Sequence, residues 1–185
     1  MTISGKKILI LATHGFEQSE LEVPRDRLEA AATVHVVSPE RGEIKGWDMK
    51  DWGRPVKVDR GLDEVSADDY DAIVLPGDQI NPGLLRINDK ALKLILAFYK
   101  QKKVVAAICH APWLLIETGI IKGRKATSYK SIKTDVINAG AKWEDVKVVA
   151  DESIITSRNP GDLEAFSNKI IEEVSERRHQ RRTAA

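Results

Sequence analysis

Short apolar runs alternate with longer amphipathic stretches along most of the chain, and this alternation limits its fold more than any other feature. Runs such as Lys7–Ala12 and Val104–Ile108 are too short for core helices and are rich in β-branched residues, as buried strands are. The stretches between them carry apolar residues at helical spacing. Strands that alternate with helices are typical of a parallel sheet covered by helices on both faces. The sequence therefore predicts an α/β protein, a flavodoxin-like three-layer sandwich with a mostly parallel central sheet.

The apolar periodicity also locates the individual elements. Strands are predicted at 7–12, 33–38, 71–75 and 104–108, and two more within 146–157 that turn at 151–152. Helices are predicted at 18–31, 88–101, 131–138 and 162–178, with another that Pro112 opens and Gly119 closes. The stretch 41–59 breaks the alternation with glycines, a proline and two tryptophans, so a hairpin and loop are expected there.

Length and charge restrict the domain organisation and the partners. A chain of 185 residues predicts one domain, placed at 1–174, followed by a basic tail at 175–185. The 29 Lys and Arg residues against 28 Asp and Glu leave a net charge of +1, so no overall field attracts nucleic acid. Arginines in the tail could contact phosphates, but a solvated helix end is the better interpretation. Nucleic acid is therefore not an expected partner.

The chain also lacks the signals of a membrane or an exported protein. No apolar run approaches the roughly 18 residues of a membrane span, and the first residues lack the apolar stretch of a signal peptide. The single cysteine, Cys109, excludes an internal disulfide. We therefore expect a cytoplasmic protein that does not bind membranes.

No motif for a nucleotide, a dinucleotide or a serine nucleophile occurs, and the four histidines stand far apart without flanking carboxylates at ligand spacing. The sequence thus predicts neither a cofactor nor a metal site.

Cys109 is the first candidate for chemistry. It ends an apolar strand and precedes His110, Ala111 and Pro112, so a sharp strand-to-helix turn is expected, at the edge where open α/β sheets bind ligands. A helix N-terminus stabilises a thiolate, which predicts a lowered pKa, and the N–H groups of His110 and Ala111 could face an oxyanion. The alternative is that a lone cysteine is only a small buried apolar residue.

Glu17 and Glu20 form a second cluster after the first strand. Three positions apart at a helix start, they lie near one face, and one of them could reach Cys109. A carboxyl group held beside a thiolate would be pushed toward its protonated form and could donate a proton. The alternative is ordinary capping of the helix by acidic residues.

Five blocks in this order resemble the ThiJ/PfpI superfamily, in particular its branch of PfpI intracellular proteases, of the peptidase C56 type, and glyoxalase- or deglycase-like stress proteins. They span about residues 6–174: Phe16–Glu20, Val74–Gly77, Ala107–Pro112, Gly123–Ser128 and Thr156–Leu163. The resemblance implies a flavodoxin-like sandwich, a reactive cysteine on a strand-to-helix turn, and a homodimer that in some members builds a hexamer. It also implies activity on proteins or reactive aldehydes.

Carried over residue by residue, the resemblance implies that Cys109 is the nucleophile and His110 its adjacent imidazole. Glu20, four residues before Pro24, would be the carboxyl group that contacts the thiol, with Glu17 as its near neighbour.

Two departures from the family pattern weaken a protease assignment. The family usually has Pro-Gly-Gly where this chain has Pro-Gly-Asp, so the candidates for an oxyanion hole are Gly77, Asp78 and Ala111, and the carboxylate of Asp78 would oppose an oxyanion. Several relatives then place an acid that orients the histidine of a neighbouring subunit. Gly83 takes the place of that acid here, which leaves His110 without the expected support.

Three functions follow from these residues. The favoured one is a cysteine-dependent stress-response enzyme that attacks small carbonyl compounds, such as methylglyoxal or early glycation adducts on proteins. The alternatives are a redox sensor or chaperone-like protein with an oxidisable Cys109, and a weak cysteine peptidase. A homo-oligomer is expected because Trp47 and Trp52 lie in a glycine-rich excursion that a lone domain would expose.

Overall fold

In the computed structural model, the backbone is described for residues 3–183 and the side chains for residues 3–176. The strands are β1 (Lys7–Leu11), β2 (Thr33–Ser38), β3 (Glu43–Asp48), β4 (Asp51–Lys57), β5 (Arg60–Gly61), β6 (Ala72–Leu75), β7 (Val104–Ile108), β8 (Lys125–Ala126), β9 (Lys142–Trp143), β10 (Val148–Asp151) and β11 (Ile154–Ser157). The helices are α1 (Gln18–Glu29), α2 (Ile80–Leu85), α3 (Asp89–Lys100), α4 (Pro112–Glu117), α5 (Lys133–Asn138) and α6 (Leu163–Thr183), with short 3₁₀ turns at Leu62–Glu64, Ala67–Asp69, Lys130–Ile132 and Pro160–Asp162.

Seven strands form the central sheet in the order β10-β11-β7-β6-β1-β2-β5. Every neighbouring pair is parallel except β10 and β11, which are antiparallel. The sheet and the helices on its two faces confirm the predicted α/β sandwich.

The two sides of each central strand face two separate apolar layers. In β1, Ile8 and Ile10 belong to the layer beneath α1 and α6, whereas Leu9 and Leu11 belong to the layer beneath α3, α4 and α5. All four side chains are completely buried. Burial on both faces explains why these strands are continuous apolar runs in the sequence rather than alternating ones.

The predicted elements agree with the structure to within a few residues at most boundaries. The sequence did not predict α2, the two-residue strands or the 3₁₀ turns, because such short elements show no periodicity. The last helix continues to Thr183, beyond its predicted end near residue 178. The side chains of residues 177–185 lie outside the described part of the chain, so the division into a domain and a basic tail stays a prediction.

The excursion at 41–59 contains the predicted hairpin, formed by β3 and β4. Gln18 of α1 holds it in place, since its side-chain oxygen accepts the N–H of Arg54 at 2.7 Å. A Cβ atom at Gly46 or Gly53 would lie only 2.7 or 2.1 Å from that oxygen, so glycine allows the close approach. The N–H of Trp47 donates to the carbonyl of Phe16 at 2.7 Å, which fixes the hairpin beside the loop after β1.

The strand order brings three loops together. The chain leaves β1 toward β2 and β5, then crosses to β6 and β7 on the other side of β1. The carboxyl ends of β1, β6 and β7 therefore meet at one edge of the sheet, where open α/β sheets form a crevice. Glu20, Asp78 and Cys109 all come from the segments that follow these strands.

Candidate active site

Cys109 lies on the predicted turn between β7 and α4 and has a φ of 63°. A residue with a side chain adopts this left-handed conformation at a cost of about 1–3 kcal/mol, and the surrounding structure must hold it there. The N–H of Cys109 donates to the carbonyl of Ser157 at 3.1 Å, and its own carbonyl accepts the N–H of Tyr129 at 2.8 Å. Cys109 is 5% exposed and lines a cavity.

Glu20 is completely buried in the first turn of α1. Its Oε2 accepts the N–H of Gly77 at 2.9 Å. Its Oε1 has no partner of full hydrogen-bond geometry, although the thiol of Cys109 lies close enough to interact with the carboxyl group. Burial raises the pKa of Glu20 to about 8, against the opposing effect of the Gly77 N–H, and the negative charges of Glu17 and Asp78 raise it too. Glu20 is therefore protonated at neutral pH.

Gly77 lies between the thiol of Cys109 and the carboxyl group of Glu20. A Cβ atom at this position would lie 2.7 Å from the Cβ of Cys109, from Oε2 of Glu20 and from the carbonyl oxygen of Ile108. Real Cβ atoms essentially never approach other atoms so closely. Only glycine fits between the thiol and the buried carboxyl group.

The contacts of Glu17 differ from those of Glu20. It is the N-cap of α1, and its Oε1 accepts the backbone N–H of Ser19 at 3.3 Å and the hydroxyl of Ser19 at 2.8 Å. The capping interpretation thus describes Glu17, which is half-buried at the cavity wall, while Glu20 is the carboxyl group nearest the thiol.

The prediction of a lowered pKa for Cys109 is wrong for this structure. Burial raises the pKa of the thiol above its ordinary value, and an ionised Glu20 would raise it further. The N–H groups of Asp78 and His110 act in the opposite direction without overcoming burial. The helix argument fails because α4 has only six residues and begins three positions after the cysteine. Below about pH 8 the effect of Glu20 is smaller, since its carboxyl group is then protonated.

Two of the residues predicted to donate an N–H to an oxyanion, Gly77 and Ala111, are wrong. The N–H of Gly77 binds Glu20, and the N–H of Ala111 donates to the carbonyl of Ile108 at 2.9 Å, so neither is free for an oxyanion. The N–H groups of Asp78 and His110 face the sulfur instead. Asp78 remains a candidate, with the backbone N–H of His110 as the second donor.

Asp78 takes the left-handed conformation in which the family usually has glycine, with a φ of 62°. Its Oδ1 accepts the N–H groups of Gln79 at 2.5 Å and Ile80 at 3.3 Å, and Asp78 forms part of the cavity wall. Gly83 lies in α2 with nothing within 4 Å of a Cβ atom placed there, so this chain offers no acid at that position.

His110 is 4% exposed and contacts the thiol directly, with 3.2 Å between Nδ1 and Sγ of Cys109. Its Nε2 lies 2.8 Å from Oγ of Ser131. Its ring stacks on Tyr129, with centroids 4.8 Å apart, and packs against Trp113 at 5.3 Å. Burial lowers the pKa of His110 more than the charge of Asp78 raises it, so the imidazole is neutral at pH 7.

Sequence reasoning missed Ser131, Tyr129 and Trp113. For Tyr129 and Ser131 the sequence did hold one signal, since both stand just after Gly123–Ser128, one of the blocks that resemble the family. Nothing in the sequence showed that this segment folds back over the turn that carries the cysteine.

Cys109, His110 and Glu20 border a cavity of about 500 Å³. Its charged side chains are all acidic, and the rest of its wall is largely aromatic or apolar. It is lined by Glu17, Glu20, Trp47, Met49, Asp78, Gln79, Ile80, Cys109, His110, Tyr129 and Pro160. The cavity has room for a small molecule or an amino-acid side chain directly above the thiol.

Within the described residues, no group of three or more His, Cys, Asp and Glu side chains is arranged to hold a metal ion. In the same part of the chain, none of the helices combines the length and apolar character needed to cross a membrane.

An α/β sandwich with a strained cysteine, a buried protonated glutamate and a histidine at one sheet edge defines a class of cysteine-centred proteins. Residues 6–173 match the model of the DJ-1/PfpI family, and the chain belongs to that family. The resemblance drawn from the sequence blocks is confirmed.

Named relatives and a solved structure extend this comparison. The chain is 44% identical over 166 residues to "Deglycase PfpI" of Pyrococcus furiosus, covering 89% of this chain and 97% of that protein. It is 42% identical over 169 residues to YraA of Bacillus subtilis, named as a candidate cysteine protease, covering 90% and 97%. The crystal structure of Drosophila melanogaster DJ-1beta matches with a TM-score of 0.83 and 29% identity over 95% of each chain.

Proposed function

We propose that this protein is a deglycase-type enzyme in which Cys109 attacks reactive carbonyls, either methylglyoxal or its early adducts on protein amino groups. The names of its relatives support a cysteine-type enzyme of this kind. The observation that carries the proposal is the buried Glu20, whose pKa of about 8 keeps a proton beside the thiol at neutral pH. A thiol with both a proton donor and a neutral imidazole at hand is suited to addition to a carbonyl.

The first step is addition. As Sγ of Cys109 bonds to the aldehyde carbon, the thiol proton passes to Nδ1 of His110, 3.2 Å away. The electron pair of the C=O bond moves to the oxygen, which takes a proton from Glu20 and gives a hemithioacetal. The N–H groups of Asp78 and His110 support the developing charge. Because His110 acts as a base during attack, no pre-formed thiolate is needed.

The second step is rearrangement. The carboxylate left on Glu20 removes the proton from the carbon bonded to sulfur, while the imidazolium of His110 returns its proton to the neighbouring carbonyl oxygen, which gives an enediol and a neutral ring. Glu20 then donates its proton to the neighbouring carbon and takes up the proton of the hydroxyl on the carbon bonded to sulfur, so both groups end in their starting states. The product is a lactoyl thioester, which water cleaves to lactate and free thiol. Methylglyoxal plus water thus becomes lactate without an oxidant or reductant. For an adduct on an amine, the C–N bond breaks as the C–S bond forms, and the leaving amine takes from His110 the proton that the thiol gave up.

The peptidase alternative has less support from the site. Hydrolysis of an amide needs an oxyanion hole and protonation of a poor leaving group. Here Gly83 offers no carboxylate to support a charged His110 while it protonates that leaving group, and the carboxylate of Asp78 forms part of the cavity wall. The redox-sensor alternative needs only an oxidisable thiol and leaves the proton-transfer groups Glu20 and His110, both beside Cys109, without a role.

A stress-response role, a cytoplasmic location and a homo-oligomer, either a dimer or a hexamer, complete the proposal. A lone free cysteine fits a reducing compartment. The hairpin exposes Met49 at 82% and Trp52 at 44%, which suits a surface that a second copy covers.

The proposal is tested by assaying purified protein on methylglyoxal, on a methylglyoxal-treated peptide and on casein in parallel. We expect lactate release and restored amines from the first two, little hydrolysis of casein, and loss of activity in Cys109→Ala. Efficient casein hydrolysis with no carbonyl turnover would replace this proposal with the peptidase.

A further inference from the structure

The structure gives His110 a partner within its own chain. The resemblance implied that an acid orients this histidine, and the corresponding position here is Gly83, which has no side chain to offer. The hydroxyl of Ser131 lies 2.8 Å from Nε2, on the side of the ring opposite the thiol. The imidazole therefore bridges Cys109 and Ser131, with one ring nitrogen assigned to each.

We propose that Ser131 positions His110 by accepting its Nε2–H, which leaves Nδ1 unprotonated and facing the thiol of Cys109. This inference rests on the proposed function of Cys109 as nucleophile. Ser131 does not touch the substrate in this scheme, so it is a positioning residue.

Two proton arrangements satisfy both contacts of His110. In one, Nε2–H donates to Ser131 and Nδ1 accepts from the thiol of Cys109. In the other, the hydroxyl of Ser131 donates to Nε2 and an Nδ1–H points at the sulfur. Since burial raises the pKa of the thiol, its S–H is present at neutral pH and needs an acceptor. The first arrangement supplies Nδ1 as that acceptor, 3.2 Å from Sγ. The neighbouring Glu20 is protonated and accepts the N–H of Gly77 at Oε2, so its own proton lies on Oε1, where it acts as a donor toward the thiol.

The first arrangement also suits the reaction. When Nδ1 takes the thiol proton, Nε2 keeps its own proton and continues to donate to Ser131. Oγ of Ser131 therefore accepts the same hydrogen bond from the neutral and from the charged ring, and no side chain has to rotate during proton transfer. A hydroxyl carries no charge, so it fixes the ring without stabilising an imidazolium as a carboxylate would.

Ser131 is itself exposed, and contacts of Tyr129 and Ile132 anchor the segment that carries it. The N–H of Tyr129 donates to the carbonyl of Cys109 at 2.8 Å, and the ring of Tyr129 stacks on His110. Ile132 is 2% exposed and donates its N–H to the carbonyl of Tyr129. Other ionisable groups nearby are Glu20, beside the thiol, Asp78, in the cavity wall, and Asp135, which accepts the indole N–H of Trp113.

The test compares Ser131→Ala, Ser131→Thr and Ser131→Asp with the parent and with Lys130→Ala, a neighbour in the same turn. Nitrogen NMR of labelled histidine reports which ring nitrogen carries the proton, and circular dichroism confirms folding. We expect the parent to hold its proton on Nε2. The alanine variant should lose this preference and lower kcat for methylglyoxal about 3- to 10-fold at unchanged KM, the usual effect of one neutral hydrogen bond.

The threonine variant keeps a hydroxyl and should restore both the tautomer and the rate. The aspartate variant should raise the pKa of His110 and speed alkylation of the thiol below pH 7. Lys130→Ala should behave like the parent. An unchanged tautomer in Ser131→Ala, or equal losses in the alanine and threonine variants, would overturn the proposal.

Alkylation by iodoacetamide separates this inference from the proposed function. If the parent turns over no carbonyl substrate, the proposed function fails, but the tautomer and the pH profile of alkylation still decide the role of Ser131.

Discussion

Replacing Glu20 by glutamine tests the protonation state on which the site depends. The native protein holds the Glu20 proton up to about pH 8, whereas the unfolded chain releases it near 4.5. Between these values the native state binds more protons than the unfolded state, so this group makes stability fall as pH rises. Each pH unit between these two pKa values lowers the free energy of unfolding by about 1.4 kcal/mol. Relative to pH 4.5, the unfolding free energy is therefore lower by about 3 kcal/mol at pH 7 and by about 5 kcal/mol above pH 8.

Glu20→Gln removes this dependence, because the amide cannot ionise and its oxygen can still accept the N–H of Gly77. We therefore expect the variant to gain about 5 kcal/mol in unfolding free energy relative to the parent between pH 4.5 and 9. The assay is urea unfolding under reducing conditions at several pH values. Glu29→Gln, an exposed carboxylate at the other end of α1, is the control and should follow the parent. Parallel stability curves for the parent and Glu20→Gln would refute a buried, protonated Glu20.

Further predictions concern the packing, charge and assembly of the site. Gly77→Ala should cost about 1–3 kcal/mol in thermal unfolding and abolish activity, because its methyl group has no room, whereas Gly83→Ala, in open space within a helix, should be neutral or slightly stabilising. Asp78→Gly should speed reaction of the thiol with an anionic methanethiosulfonate about fivefold relative to a cationic one, and an equal change for both reagents would show that its charge does not act there. Light scattering at micromolar protein should give a dimer or hexamer that Trp52→Lys weakens, and a parent monomer would contradict the predicted assembly.

The sequence predicted that a glutamate and Cys109 meet, but not how their protons are arranged. The alternation of strands and helices places the segments after β1 and β7 at one edge and predicts that Glu17 or Glu20 could reach Cys109. The choice of Glu20, and the place of Asp78 beside the thiol, came from the family resemblance. The pKa values of Glu20 and Cys109 depend on burial and on which N–H finds which acceptor. Gly77 donating to Glu20 is a contact across 57 positions that no spacing rule gives.

The contact of Ser131 with His110 could not be predicted from the sequence either. It stands 21 positions after His110, on a short 3₁₀ turn without periodicity, and only the folded chain places its hydroxyl on Nε2. The sharp turn at Cys109, by contrast, followed from its position at the end of a strand and before Pro112.

The central claim is that Cys109 forms a covalent bond with the carbonyl substrate during turnover. The most direct test is to quench the protein during reaction with methylglyoxal, digest it with trypsin and locate the added mass. We predict a transient adduct on Cys109 within the peptide 104–122, absent from Cys109→Ala and longer-lived in Glu20→Gln. Lactate formation at the parent rate with no adduct on that peptide, or in Cys109→Ala, would contradict the account.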